Sequence, residues 1–193
     1  MRNIMRRALT PLAVLLLAAC GAGDEKTTGD RAEPAEPSSR TLAATVERAD
    51  GYDTLAGVVA NAGLTHVLEG VGPYTLLAPS DAAFGAGGAG AFTDETLRAQ
   101  GAALLRAHIV PGALTRADIA AALGRDADGS VQMRTMADTL LTFSRDGEAI
   151  RVRSESGASA RLTGEESVAS NGVLQPVDAL LVRQDQPAAA TTP

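Results

Sequence analysis

The chain has 193 residues, with 23 acidic against 17 basic ones and a formal net charge of −6. That length fits one ordinary domain with flanking segments. A net acidic chain disfavours nucleic-acid binding and a polybasic grip on anionic lipid, since both need a basic stripe. With no tryptophan and only Tyr52, Tyr74, Phe84, Phe92 and Phe143 as aromatics, a sugar-binding face built on stacked rings is hard to assemble.

Residues 1–19 read as an export signal. Arg2, Arg6 and Arg7 form a basic start, and Leu9 to Ala19 is an apolar run too short for a permanent span, which needs about 20 residues. The run ends in Leu17-Ala18-Ala19-Cys20, which resembles the lipobox of bacterial lipoproteins. That resemblance implies cleavage before Cys20, the chain's sole cysteine, and lipid attachment to its thiol. Two or three acyl chains on one residue would hold the protein firmly, whereas a single chain binds membranes marginally. Removing the signal takes three arginines and no acid, leaving 14 basic against 23 acidic residues and a charge of −9. The mature chain then has no thiol for an internal disulfide and is expected to stand on its core alone.

Residues 20–40 comprise the lipidated cysteine and a tether rich in Gly, Pro, Glu, Thr and Ser without apolar period. A tether of that length reaches roughly 25 Å. Residues 184–193 read as a second loose segment, and 41–183 as one domain. In it, Leu42, Val46 and Ala49 line a short helix. Asp53 is placed to cap a second, with Leu55, Val58, Val59 and Ala62 at i, i+3, i+4 and i+7. Gly63 suits a left-handed stop, with Leu64 as the apolar residue folding back. After a strand ending at Pro79, Ser80 or Asp81 can cap a helix that begins near Ala82. A further helix follows Thr93, burying Leu97, Leu104, Leu105 and His108, and Pro111-Gly112 turns the chain. Thr115 has capping-box spacing to Asp118, and Leu114 can staple onto Ile119. In the second half, Thr139–Ser144 and Ala149–Arg153 flank Asp146-Gly147, a hairpin signal that pairs Phe143 with Ile150 and Leu141 with Val152. Ala158–Thr163 and Val173–Val182 read as further strands. Helices followed by antiparallel strands point to an α+β domain.

Three segments resemble signature blocks of the fasciclin (FAS1) family, in that family's order. They are Tyr74 to Phe84, containing Ala78-Pro79-Ser80-Asp81; Leu104 to Gly112, containing His108, Pro111 and Gly112; and Asn171 to Asp178, beginning Asn171-Gly172. The resemblance covers about residues 40–183. It implies a wedge of about seven mostly antiparallel strands with several helices against it, and an adhesive or matrix-binding role with varying partners. Ala107 stands before His108 where the family often has tyrosine, and Gln175 stands where it often has histidine. An interaction surface at Leu105, His108 and Ile109 is expected from the position of the central block.

Chemistry-bearing motifs are few. Gly85-Ala86-Gly87-Gly88-Ala89-Gly90 satisfies G-x-G-x-x-G but follows a helix start, so a surface loop is expected. Asp126, Asp128 and Ser130 begin like a calcium loop, yet Val131 and Ala137 occupy the positions that need glycine and glutamate. Asn171-Gly172 reads as a turn with the asparagine bonding nearby backbone. His108 reads as a satisfied core histidine. The expected protein is a non-catalytic, lipid-anchored envelope domain with no cofactor, no metal and no nucleic-acid partner. It would bind an unknown protein, cell-surface or matrix partner, from the outer membrane if the cell has two membranes. The alternative is a periplasmic envelope protein that binds a small ligand or a partner protein.

Overall fold

The computed structural model describes residues 38–88 and 92–183. Cys20, the signal, the tether to Pro37 and the tail from Gln184 lie outside the described residues. The described chain begins with α1 (Leu42–Val46), where the Thr41 hydroxyl accepts from the Ala44 amide, and Leu42 and Val46 are buried. Ala49 falls in the turn beyond the helix. α2 (Asp53–Asn61) buries Leu55, Val58 and Val59. Its end is a Schellman motif: Leu64 N–H donates to Val59 O and Gly63 N–H to Ala60 O, with Gly63 at φ 69°. Leu64 is buried, as its C″ position requires. α3 (Thr65–Glu69), a helix without amphipathic length, follows at once.

β1 (Tyr74–Pro79) leads into α4 (Asp81–Ala86). A 3-10 turn, Glu95–Leu97, is capped by Asp94 and runs into α5 (Arg98–His108) and β2 (Ile109–Pro111). α6 (Arg116–Arg125) has the full capping box between Thr115 and Asp118, and Leu114 packs in the same apolar cluster as Ile119. Then come β3 (Ser130–Arg134), β4 (Leu140–Asp146), β5 (Ala149–Ser154), β6 (Ser159–Arg161), β7 (Ser167–Ala169) and β8 (Gly172–Val177). The architecture is α+β, with eight strands among the described residues where the resemblance implied about seven.

The strands form two four-stranded sheets, ordered β2-β1-β8-β7 and β3-β4-β5-β6. All pairs are antiparallel except β1 with β8, which run parallel from Tyr74↔Gly172 to Pro79↔Val177. The halves are therefore less separate than the sequence implied, since β1 and β2 join strands from the end of the chain. Every residue of β8 is buried, as expected for a parallel pair covered on both faces. Leu76, Ala78 and Leu174 face a core built with α1, α2, α4 and α5. Leu77 and Val177 face a second core with α6 and the inner side of β4 and β5. The first sheet is thus a shared wall.

The hairpin differs from expectation by two residues. Asp146 pairs with Ala149, Arg145 with Ile150 and Phe143 with Val152, while Leu141 opposes Ser154. The two-residue loop is Gly147-Glu148, with positive φ at Gly147 alone, the pattern of a II′ turn. Asp146 stays in the strand because Arg151 and Arg161 hold its Oδ2 at 2.6 and 2.8 Å. A slip of two preserves side-chain parity, so Leu141, Phe143, Ile150 and Val152 all remain in the core. The last strand also stops sooner than expected, at Val177, because the backbone beyond finds other partners. Asp178 N–H donates to Arg161 O, and Leu181 N–H donates to the His108 ring.

Candidate functional site

α5 ends on His108, which is fully buried. Its Nδ1 donates to the Leu104 carbonyl at 2.8 Å, one helical turn back, and its Nε2 accepts from the Leu181 amide at 3.0 Å. An acceptor at Nε2 requires the neutral Nδ1–H tautomer. Burial pushes its pKa down to about 4, against a smaller upward pull from the Leu104 carbonyl. His108 is therefore a neutral strut between α5 and the last described segment. Leu105 and Ile109 are fully buried beside it. This corrects the expected interaction surface at Leu105, His108 and Ile109: none of the three exposes side chain to a partner, because their helix face and strand are spent on the core.

The other two motif blocks are joints of the fold. Ser80 caps α4 through Oγ, which accepts from Ala83 N at 3.3 Å. Asp81 caps a different helix: Oδ1 accepts from Thr54 N at 2.8 Å and Oδ2 from Asp53 N at 3.3 Å. Asp53 is thus the first residue of α2 and its cap comes from elsewhere, which corrects the expected role of Asp53. Burial, and next the Asp81 charge, raise the pKa of neighbouring Tyr52. Ala78 and Pro79 are buried in β1, and Phe84 plugs the first core. Pro111 closes β2 opposite Tyr74. Gly112, at φ 106°, donates N–H to Pro73 O, and its carbonyl accepts from the Thr75 hydroxyl at 2.7 Å.

Asn171 reaches farther than the expected local turn. Its Nδ2 donates to Leu68 O at 2.8 Å and Gly70 O at 2.7 Å, and its Oδ1 accepts from Leu42 N at 2.8 Å. One side chain thereby closes the end of α3 and the start of α1. A Cβ on Gly172 would collide with the Tyr74 carbonyl and crowd Leu42, so glycine is what lets β8 lie against β1.

Sequence reasoning missed a polar clasp around Gln175. That side chain is fully buried; its Nε2 donates to Leu114 O at 3.1 Å and to Glu166 Oε2, and its Oε1 accepts from Arg116 Nη2 at 3.3 Å. The Arg116 guanidinium also donates to Thr163 O and Gly164 O, and its backbone N–H to Glu166. The clasp ties the start of α6 to the β6–β7 loop. The only sequence signal for it was a glutamine inside an apolar strand.

The remaining motifs are structural as placed. Gly85 and Ala86 close α4 and Gly87 caps it, so this part of the glycine run is helix end, not loop, while 89–91 lie outside the described residues. Asp126 turns its Oδ1 onto the amides of Asp128 and Ser130.

The outer side of α5 offers an open surface feature. Gln100, Ala103, Leu104 and Ala107 recur at i, i+3, i+4 and i+7, one notch round from the core stripe. With Phe92, Ala137, Thr139, Val182 and Arg183 they line a groove of about 520 Å³. Small alanines leave the space, Phe92, Leu104 and Val182 make it apolar, and Gln100, Thr139 and Arg183 are its polar groups. No carboxylate lines it. The signal was present as an alanine-rich second stripe on the helix.

Residues 50–183 match the profile of the fasciclin domain. The chain is 31% identical over 142 residues to the pig transforming growth factor-beta-induced protein ig-h3, covering 71% of this chain and 18% of that protein. It is 28% identical over 154 residues to protein sll1483 of Synechocystis, covering 78% of this chain and 77% of that one. Among solved structures, a FAS1 domain pair from the insect cell adhesion molecule fasciclin I aligns with a TM-score of 0.48 at 22% identity. That alignment covers 72% of this chain and 43% of the pair.

Proposed function

The chain belongs to the fasciclin domain family, typically adhesive or matrix-binding, and we propose that it is a non-catalytic binding domain held outside the cytoplasm by lipid on Cys20. The single observation that carries the binding reading is the apolar groove on α5. It is open apolar surface with polar groups at its edge, the composition of a partner contact. In this reading His108 takes no part in chemistry, being neutral with both ring nitrogens engaged. The segment between Cys20 and Arg40 acts as the tether, and the outer membrane is the expected address in a two-membrane cell. The partner is a protein or matrix component of the cell surface.

The full chain, anchored in fluorescent vesicles, tests this reading by capture on intact cells or envelope fragments. Parent vesicles should be retained well above empty ones, and Ala103→Glu should cut retention at least tenfold while the melt is unchanged. Ala103 is exposed on the helix, so a glutamate there charges the groove without disturbing the core. Retention no better than that of empty vesicles would sink the adhesion reading, and full retention by Ala103→Glu would remove the groove from it. For the anchor, Cys20→Ser should abolish palmitate incorporation; equal labelling of variant and parent would refute it. The groove volume also lies within the range of small-molecule sites, which supports a second reading as a small-ligand carrier. Native mass spectrometry of the chain taken from its envelope would then show a bound mass that Ala103→Glu lacks.

A further inference from the structure

The second sheet presents a face that the net charge conceals. Its inner side, with Leu141, Phe143, Ile150 and Val152, is core. Alternation therefore puts Gln132, Arg134, Thr142, Ser144, Arg151, Arg153, Ser159 and Arg161 outward. Register sets them in rows: Thr142 lies between Gln132 and Arg153, Arg153 opposes Ser159, and Arg151 opposes Arg161. Arg151, Arg153 and Arg161 form a triangle one strand spacing by one side-chain repeat in size, about 5 by 7 Å. Arg151 and Arg161 are 42% and 54% exposed.

The strands carry four arginines on this face against one carboxylate, Asp146. In the flanking segments Asp138 holds Arg134 at 2.8 Å, Asp178 borders Arg151 and Arg161, and Glu148 and Glu155 are exposed. Asp146 shows what the arginines are set to hold, since one of its oxygens takes both Arg151 and Arg161. Hydrogen bonds from Arg151 and then Arg161 keep its carboxyl below the usual range. Arg153 has no carboxylate partner within salt-bridge distance among the described residues.

We propose that this outer sheet face binds an acidic polysaccharide, its guanidiniums taking carboxylates and its hydroxyls and amide taking the sugar hydroxyls. The interleaving decides the class of partner. A chain bearing both anionic groups and hydroxyls matches alternating Arg and Ser/Thr/Gln. Nucleic-acid strands want aromatic platforms, and no aromatic ring faces outward here. A membrane-surface contact draws on buried apolar area as well as charge, and Leu140 is the face's one large apolar residue. The face is separate from the groove on α5, so its occupancy goes beyond the adhesive reading above.

The test uses the full chain in detergent and polygalacturonate as probe, with dextran as the neutral polymer and with duplex DNA and phosphatidylglycerol vesicles as other polyanions. The chain should bind polygalacturonate at low salt, weaken steeply as salt rises, and ignore dextran. Replacing Arg151, Arg153 and Arg161 together by Gln should weaken binding at least tenfold. Two of these hold Asp146, so Arg153→Gln serves as the gentler variant and should cost at least threefold with an unchanged melt. Ala103→Glu should bind the polymer like the parent, which separates this face from the groove. Absence of binding, full binding by the triple variant, or DNA or vesicles bound as tightly at equal salt would each overturn the proposal.

Discussion

Acid should destabilise this domain through one buried imidazole. The free side chain takes a proton near pH 6.5, whereas folded His108 resists it down to about 4. Below pH 6.5 the unfolded chain therefore binds a proton that the folded one refuses, and stability falls as pH falls, with the loss complete near the folded value. At about 1.4 kcal/mol per pH unit the gap corresponds to roughly 3 kcal/mol, a large share of the 5–15 kcal/mol typical of a whole domain. The carboxylates whose pKa values are lowered, Asp94, Asp118 and Asp146, lose their contributions only below their ordinary value of 3.8, so the windows separate. Urea melts at pH 7, 6, 5 and 4.5 measure the slope. His108→Leu should be less stable at pH 7 by about 1–3 kcal/mol, because the Leu181 amide is left buried without an acceptor. It should also lack the His108 slope, so the two proteins converge on acidification. Parallel curves for parent and variant would refute the reasoning, as would ¹⁵N shifts assigned to the His108 ring that titrate near pH 6.5 in the folded protein.

Asp81→Ala should cost about 1–2 kcal/mol by uncapping α2, while Asp81→Asn keeps most of that; equal urea midpoints for both would show that the cap contributes nothing. Asn171→Ala leaves three backbone groups without partners, two of them carbonyls at the end of α3, and should cost about 3 kcal/mol or more. Loss of hydrogen-exchange protection at the Leu42 amide would locate that effect. Gly172→Ala should destabilise by more than about 3 kcal/mol through collision with Tyr74. Gly124→Ala, with nothing within 4 Å of its added Cβ in α6, should instead stabilise by about 0.5–1 kcal/mol; thermal melts of the pair check both signs.

Local chemistry was legible in the sequence wherever both partners lie within a few residues of one another. The Schellman end at Gly63-Leu64, the capping box of Thr115 and Asp118, and the placement of His108 on the buried stripe of α5 all depend on spacing along one helix. The α+β class follows from the same periodicities, and the three motif blocks carried the family. Three of the four edge strands were not legible: β2, β3 and β7 pair on one side only, so they lack the double-sided apolar run that made β8 visible, whereas the edge strand β6 falls within the expected Ala158–Thr163. The hairpin register was decided by Arg151 and Arg161 together, which draw Asp146 into the ladder, and Arg161 lies on a strand the turn signal does not include.

The candidate surfaces divide in the same way. Net charge is a sum over the chain, so it could not show that the outer side of β3 to β6 gathers four arginines. That required knowing which strands are neighbours. Spacing put Leu105, His108 and Ile109 together, but only packing showed that they point inward and that Ala103 and Ala107 line the open side. Residue type and spacing alone determined the caps, the helix faces and the family. Tertiary structure decided what Asp81, Asn171 and Gln175 hold, because each completes backbone groups from segments that only folding brings within hydrogen-bond reach.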